Sequence, residues 1–216
     1  MKLQERSFEI ARKVVCEEVD GEKVYTTLEE PAFDNVRLPE YSTSHSAGAD
    51  FFCAKEVTIP SIWGMLFSSL SAKAEDKANK AFDSIMSGLG YTRKEADSEN
   101  EKKVDIVPTV VHTGIKANMF EDEVLEIYNR SSNPKKLGLI LANSVGVVDA
   151  DYYESAENDG EIMFAYFNFK PWSVTLKVGD KVGQGVFKKV LRPTKGLIIK
   201  DDTRRGGFGS TDEKVS

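Results

Sequence analysis

The sequence predicts an all-β domain of sandwich, jelly-roll or barrel type, interrupted by one α-helical insert. Three observations carry this. Short apolar and β-branched runs recur along most of the 216 residues, separated by Gly, Pro, Asn and Asp turns. One stretch, from Trp63 to Leu89, switches to a helical period. With 40% hydrophobic and 30% charged residues, the chain has material for a core and for a well-solvated surface.

Taken in order, Phe8–Val19 is rich in β-branched and apolar residues, and Asp20-Gly21 is a hairpin signal before Lys23–Leu28. Ala49–Ala54 and Val57–Ile59 are the next strands. Apolar residues then fall at 63, 66, 67, 70, 74, 78, 81, 82, 85 and 89, steps of three and four that mark one face of an amphipathic helix. Ser87-Gly88-Leu89-Gly90 stops it. Tyr91–Lys103 is highly charged; Thr92 with Glu95 has capping-box spacing, and a second short helix and disorder both remain open. Strands resume at Asp105–Thr113, Glu123–Tyr128, Leu137–Ala142, Gly160–Phe169, Ser173–Val178, Lys181–Val190 and Gly196–Ile199. The division expected is a β domain over 1–60 and 105–200, a helical insert over 61–104, and a C-terminal arm over 201–216 with the composition of a flexible tail.

Composition removes several function classes. No apolar run approaches the roughly 20 residues of a membrane-spanning helix, and the first residues lack the apolar stretch of a signal peptide. The expected location is cytoplasmic. The net charge of −6 argues against direct nucleic-acid binding. Cys16 and Cys53 are far apart, form no CxxC, and are expected as buried thiols. His45 and His112 lack ligand-like spacing, which argues against a zinc site or a His-based triad. No Walker A, GxGxxG or HExxH motif occurs, so any phosphate donors are spread over several segments.

Four segments can carry chemistry. Arg130-Ser131-Ser132 follows a strand end and precedes the turn dipeptide Asn133-Pro134; an arginine fork and two hydroxyls suit phosphate oxygens, and also suit an ordinary solvated loop. In the run from Asn143 to Tyr153, Gly146 among apolar residues suggests close backbone approach to a ligand. Asp149 ends that apolar run, where desolvation would raise its basicity and suit it to a general base; a strand end with an Asx turn is the plain alternative. Tyr152 offers a flat face to a sugar. Gly179-Asp180 starts a tight turn, and Gln184 is a polar residue among Val and Phe, either an edge residue or a ligand donor. In Arg204-Arg205-Gly206-Gly207-Phe208-Gly209-Ser210-Thr211, adjacent glycines allow backbone N–H groups near a phosphate, and Phe208 is a residue that a plain linker does not need.

Taken together, these segments resemble the five motifs of the trimeric dUTP pyrophosphatases, or dUTPases. Ser46-Ala47-Gly48-Ala49-Asp50-Phe51 is similar to the first, Arg130-Ser131-Ser132 to the second and Gly146–Tyr152 to the third. Gly179-Asp180-Lys181-Val182-Gly183-Gln184 is similar to the fourth and Gly206–Thr211 to the fifth. NRSSNPKK, NSVGVVDADYY and GQGVFKK most resemble dUTPases of phages of Gram-positive bacteria, which would make the location a host cytoplasm. The resemblance implies a jelly-roll subunit and a homotrimer whose active sites each draw motifs from all three chains. It implies hydrolysis of dUTP to dUMP and pyrophosphate with Mg²⁺. Asp149 would activate water, Ser131 would contact the oxygen bridging the α- and β-phosphates with Ser132 beside it, and Arg130 would steady the site around the base. Asp50 would hold a magnesium-bound water. Backbone around Gly146, with Asn143 and Gln184, would read uracil, and Tyr152 would stack on deoxyribose. The arm would close with Phe208 on uracil, and with Arg204 or Arg205, Gly207, Gly209, Ser210 and Thr211 around the β- and γ-phosphates.

The chain departs from the family pattern in four places. The arginine of the fifth motif is displaced to Arg204 or Arg205, Asp212 stands where a glycine often follows Ser-Thr, the stretch after Tyr152 is extended, and the insert after Pro60 is additional. The insert's apolar stripe needs a cover, which the β domain, a neighbouring subunit or a protein partner would supply. Two rival functions stand beside hydrolysis: a dCTP deaminase of the same fold, and a regulatory protein that captures a partner through the 61–104 insert.

Overall fold

The computed structural model describes residues 5–66 and 106–196. The described chain is almost entirely antiparallel β. Its strands are β1 (Ser7–Ile10), β2 (Arg12–Val19), β3 (Glu22–Pro31), β4 (Glu40–Tyr41), β5 (Ala49–Phe52), β6 (Val57–Ile59) and β7 (Thr109–His112). They continue as β8 (Ile115–Asn118), β9 (Glu123–Asn129), β10 (Leu139–Leu141), β11 (Val145–Asp149), β12 (Met163–Asn168), β13 (Val174–Leu176) and β14 (Lys181–Lys189). A five-stranded sheet runs β11-β9-β14-β5-β4 and a three-stranded sheet runs β10-β12-β7; the pairs β1-β8, β13-β6 and β2-β3 complete the described strands.

The core lies between the two larger sheets. Phe51 of β5 meets Phe164 of β12 with ring centroids 5.7 Å apart, and Phe164 stacks on Tyr166. All three rings are fully buried, each worth roughly 1.5–3 kcal/mol of apolar burial. Gly183 and Gly185 of β14 make this packing possible. A Cβ on Gly183 would fall 2.0 Å from the Phe164 ring, and one on Gly185 would fall 2.6 Å from Phe51. The glycines therefore face the core and Gln184 faces the opposite side of the sheet, as strand alternation requires.

The Asp20-Gly21 hairpin forms as expected: both residues have positive φ, 53° and 82°, and join β2 to β3 with Val19 opposite Glu22. The hairpin is largely exposed and its strands pair only with each other. This corrects one expectation. Cys53 is buried, but Cys16 is exposed, because among the described residues no second layer covers the hairpin on which it sits. The root of the hairpin is tied to the body instead. The Arg12 backbone N–H and guanidinium both donate to Asp159, which also accepts from Lys116 at 2.9 Å.

Several strand limits move inward for local reasons. Asn133–Leu137 forms a π-helical turn, with Gly138 at φ 67° as its left-handed cap, so the strand expected from Leu137 begins at Leu139. The strand expected from Gly160 begins at Met163, after left-handed residues at Asp159 and Gly160. β4, β8 and β11 are additional to the strands read from sequence. At the insert, Ser61 caps a helical turn over 62–66, its hydroxyl accepting from Trp63 N at 3.2 Å. The rest of the predicted helix, the 91–103 stretch, and the last strand beyond Gly196 lie outside the described residues.

Candidate active site

Asp50 is the centre of the arrangement. Ala49–Phe52 is buried along its whole length as an interior strand between β14 and β4, so a carboxylate there must find donors. It finds three, together with one ion pair. Oδ2 accepts from Lys181 Nζ at 2.6 Å and from Ser42 Oγ at 3.2 Å. Oδ1 accepts from Gln184 Nε2 at 3.0 Å, and Arg130 Nε lies 3.3 Å away as an ion pair without hydrogen-bond alignment. Burial acts to push the carboxyl pKa up, but the hydrogen bonds from Lys181 and Gln184 and the charge of Arg130 hold it below the ordinary aspartate value.

This geometry bears on the magnesium role expected of Asp50. The carboxylate is 2% exposed and its oxygens face Lys181, Ser42, Gln184 and Arg130, so in this chain it holds those side chains together. Among the described residues, no group of three or more His, Cys, Asp or Glu is placed to hold a metal ion. His112 is spent elsewhere, with Nδ1 3.0 Å from Glu161.

Arg130-Ser131-Ser132 leaves the end of β9 as a turn closed by Asn133 N–H donating to the Arg130 carbonyl at 3.0 Å. Ser131 is exposed, and Arg130 and Ser132 are half-buried. Among the described residues, the buried side-chain polar atoms without a hydrogen-bond partner are Asn129 Oδ1, Arg130 Nε and Asn133 Oδ1. Buried orphans of this kind cost on the order of 1–3 kcal/mol each. Asn129 Oδ1 and Asn133 Oδ1 thus leave acceptor capacity in this segment that the described residues do not use.

On β11, Gly146 is needed for close approach: a Cβ there would lie 2.4 Å from Ile127. Asn143 is exposed at the turn before it, where Ser144 takes φ 59°. Asp149 ends β11 opposite Val124 and is exposed. The described residues of one chain therefore do not bury it. Tyr152 is 7% exposed; its hydroxyl donates to the Glu161 carbonyl at 3.0 Å and accepts from Asn158 Nδ2 at 2.6 Å. The ring is thus a fixed wall rather than an open stacking face. Arg204, Arg205, Gly207, Phe208, Gly209, Ser210 and Thr211 lie outside the described residues.

The structure brings together Asp50, Arg130 and Gln184, and adds Lys181, Ser42 and Asn133, which sequence reasoning did not single out. Lys181 stands three residues before Gln184, the wrong parity for one face of a regular strand, which hid it. It does not bring Asp149 to Arg130. In the β9-β11 register Asp149 faces Val124, six residues before Arg130, a span of about 20 Å at strand rise.

A dUTPase family model matches residues 101–212. The deoxyuridine 5'-triphosphate nucleotidohydrolase of Lactococcus lactis subsp. lactis (strain IL1403) is 42% identical over 118 residues, covering 53% of this chain and 79% of that protein. The chain belongs to the dUTPase family. It is accordingly a dUTP diphosphatase. Among solved structures, the dUTPase from Streptococcus mutans matches with a TM-score of 0.50 and 31% identity, over 72% of this chain and 88% of that one. A Staphylococcus bacteriophage 80alpha dUTPase matches at 13% identity with a TM-score of 0.50, over 93% of this chain and 100% of that one, a likeness of fold. The described strands thus form the family's jelly roll. These relatives do not favour the deaminase or the regulatory reading. Among the described residues, no helix is long and apolar enough to cross a membrane.

Proposed function

We propose that this chain hydrolyses dUTP at the α-phosphorus, in sites completed between copies of the chain in a homotrimer. Asp149 of one copy takes a proton from water while the water oxygen attacks the α-phosphorus. The bond from that phosphorus to the bridging oxygen breaks, and pyrophosphate leaves dUMP behind. Arg130, Ser131 and Ser132 of another copy bind the phosphates, with Ser131 at the bridging oxygen. Asp50 acts indirectly: it fixes Arg130, Lys181 and Gln184 in one geometry. Backbone around Gly146 and the Asn143 side chain read uracil, with Gln184 at the edge, and the fixed ring of Tyr152 walls the sugar. The 201–216 arm closes over the nucleotide, with Phe208 on the base and Arg204, Arg205, Gly207, Gly209, Ser210 and Thr211 around the phosphates. Magnesium enters with the substrate, as the Mg²⁺ complex of its phosphates, and no resident metal is assigned. The 61–104 insert is an addition to the 1–60 and 105–200 β domain, and capture of a protein partner remains a role to be tested for it.

The observation that supports this most is the meeting of Arg130 and Gln184 on buried Asp50, beside the unpartnered amide oxygens of Asn129 and Asn133. Asp149→Asn tests the chemistry. It is expected to retain dUTP binding and to lower pyrophosphate release at least about 100-fold, the usual worth of a general base. Near-normal turnover would remove Asp149 from the mechanism. Parallel assays with dCTP, scored for ammonia, separate hydrolysis from deamination.

A further inference from the structure

We propose that Asn133 and Tyr166 are positioning residues that set the bulge in β14 from which both Lys181 and Gln184 reach Asp50. This rests on the reading that residues 130–132 bind the substrate phosphates. In a regular strand residues 181 and 184 face opposite sides, because side chains alternate. Both nevertheless donate to the Asp50 carboxylate. The pairing with β5 shows how. Lys181 is opposite Phe52, Gly183 is opposite Phe51 and Gln184 is opposite Asp50, so Val182 is an extra residue. Without that residue Gln184 would fall opposite Ala49 and its side chain would turn into the core. A bulge re-aims side chains in this way at the cost of the local ladder.

The bulge is held by its carbonyl. Val182 O accepts from Asn133 Nδ2 and from Tyr166 Oη, each at 2.7 Å. Asn133 is 2% exposed and Tyr166 is fully buried. Burial pushes the Tyr166 phenol well above its ordinary pKa, and the neighbouring Asn133 amide acts in the opposite sense. Asn133 also closes the turn that carries Arg130, Ser131 and Ser132. One side chain therefore ties the proposed phosphate turn to the strand that aims Lys181 and Gln184. A purely structural residue at 133 would satisfy its own polar atoms or have none. Asn133 instead leaves Oδ1 without a partner while Nδ2 grips Val182.

The test compares Tyr166→Phe, Asn133→Ala and Ser131→Ala in the full-length chain, by steady-state dUTP hydrolysis, thermal melting and assembly state. Tyr166→Phe and Asn133→Ala are each expected to raise KM about tenfold, the worth of one well-placed hydrogen bond. Their kcat should stay within about twofold of wild type, since Asp149 and the attacking water are untouched. A merely structural role would reduce the active fraction, lowering kcat with KM unchanged, and would overturn the inference. Wild-type KM in both variants would overturn it too. If Asn133→Ala does not fold, Tyr166→Phe decides alone. If Ser131→Ala keeps wild-type kcat/KM, the phosphate-turn reading fails. If Ser131→Ala is impaired while the other two match wild type, only the clamp fails.

Discussion

Asp50→Asn probes the centre of the site, because the amide keeps the shape of the carboxylate and removes its charge. Lys181, Arg130, Gln184 and Ser42 all face its two oxygens, so the new NH₂ would point at donors on either side. Removing one partner of a fully buried ion pair costs about 3–5 kcal/mol, and exposed pairs are worth about 0–1 kcal/mol. Asp50 is buried, but the Lys181 and Arg130 side chains are 37% and 27% exposed and keep much of their hydration. The loss therefore falls between these limits, at about 2 kcal/mol. The pH dependence has a definite sign. The folded pKa of Asp50 lies below its ordinary value, so its contribution is complete above the unfolded value of about 3.9 and fades as the pH falls through the folded one. Urea unfolding at one fixed protein concentration reads this directly, since assembly couples to stability. With a slope of about 2 kcal/mol per M, the midpoint should drop by about 1 M at neutral pH. The gap should narrow as the pH is lowered below about 4. Equal midpoints at neutral pH, or a gap of unchanged size in acid, would refute the assignment of Asp50 as a charge-holding centre.

Other substitutions separate fold from function. Gly183→Ala places a Cβ 2.0 Å from the buried Phe164 ring, and is expected to destabilise by at least about 3 kcal/mol, the upper range for overpacking; an unshifted melting temperature would contradict the close approach. Asp159→Asn removes the buried partner shared by Arg12 and Lys116 and leaves Lys116, 3% exposed, with only the half-exposed Glu154 carboxylate at 3.3 Å; it should cost about 3 kcal/mol in chemical unfolding, the lower end for a broken buried pair. The left-handed φ of 55° at Asp159 suits asparagine as well, so a small effect there would mean that the pair, not the backbone, is weak. Truncation before Arg204 should leave assembly intact by light scattering and remove most dUTP turnover; an active truncated enzyme would show that the arm does not close the site.

Much of the fold was legible because the turns carry their own chemistry. Asp20-Gly21 specifies a two-residue hairpin, and Gly179-Asp180 a tight turn, whatever surrounds them. What failed was partly tertiary and partly local in origin. Residue type points to burial of Cys16, yet among the described residues nothing layers over its hairpin. Leu137 looked like strand, yet Pro134 and the left-handed Gly138 turn the chain first. At the site, Arg130 and Gln184 were found as motif residues and do meet, but Lys181 was hidden by the β14 bulge, which only cross-strand register reveals. At Asp50, the motif alone did not reveal the set of side chains converging from segments 42, 130, 181 and 184.

The roughly 20 Å between Asp149 and Arg130 within one chain, set by the β9-β11 register, turns the shared-site proposal into a complementation experiment. An Asp149→Asn chain keeps its phosphate turn, and an Arg130→Ala chain keeps its base. If base and phosphate turn come from different copies, a mixed ring has a site wherever an Asp149→Asn chain offers its turn to the aspartate of an Arg130→Ala neighbour. In a cyclic trimer each mixed ring contains one such junction, so equal mixing after unfolding and reassembly should restore roughly one site in four. Each variant alone should stay inactive, and recovery should require subunit exchange, not simple mixing of preformed rings. A flat zero after verified exchange would mean that both residues serve the same chain's site. That outcome is incompatible with the observed register unless β11 re-pairs. The restored fraction therefore tests the placement of Asp149 and the assembly together, without depending on how fast the chemistry runs.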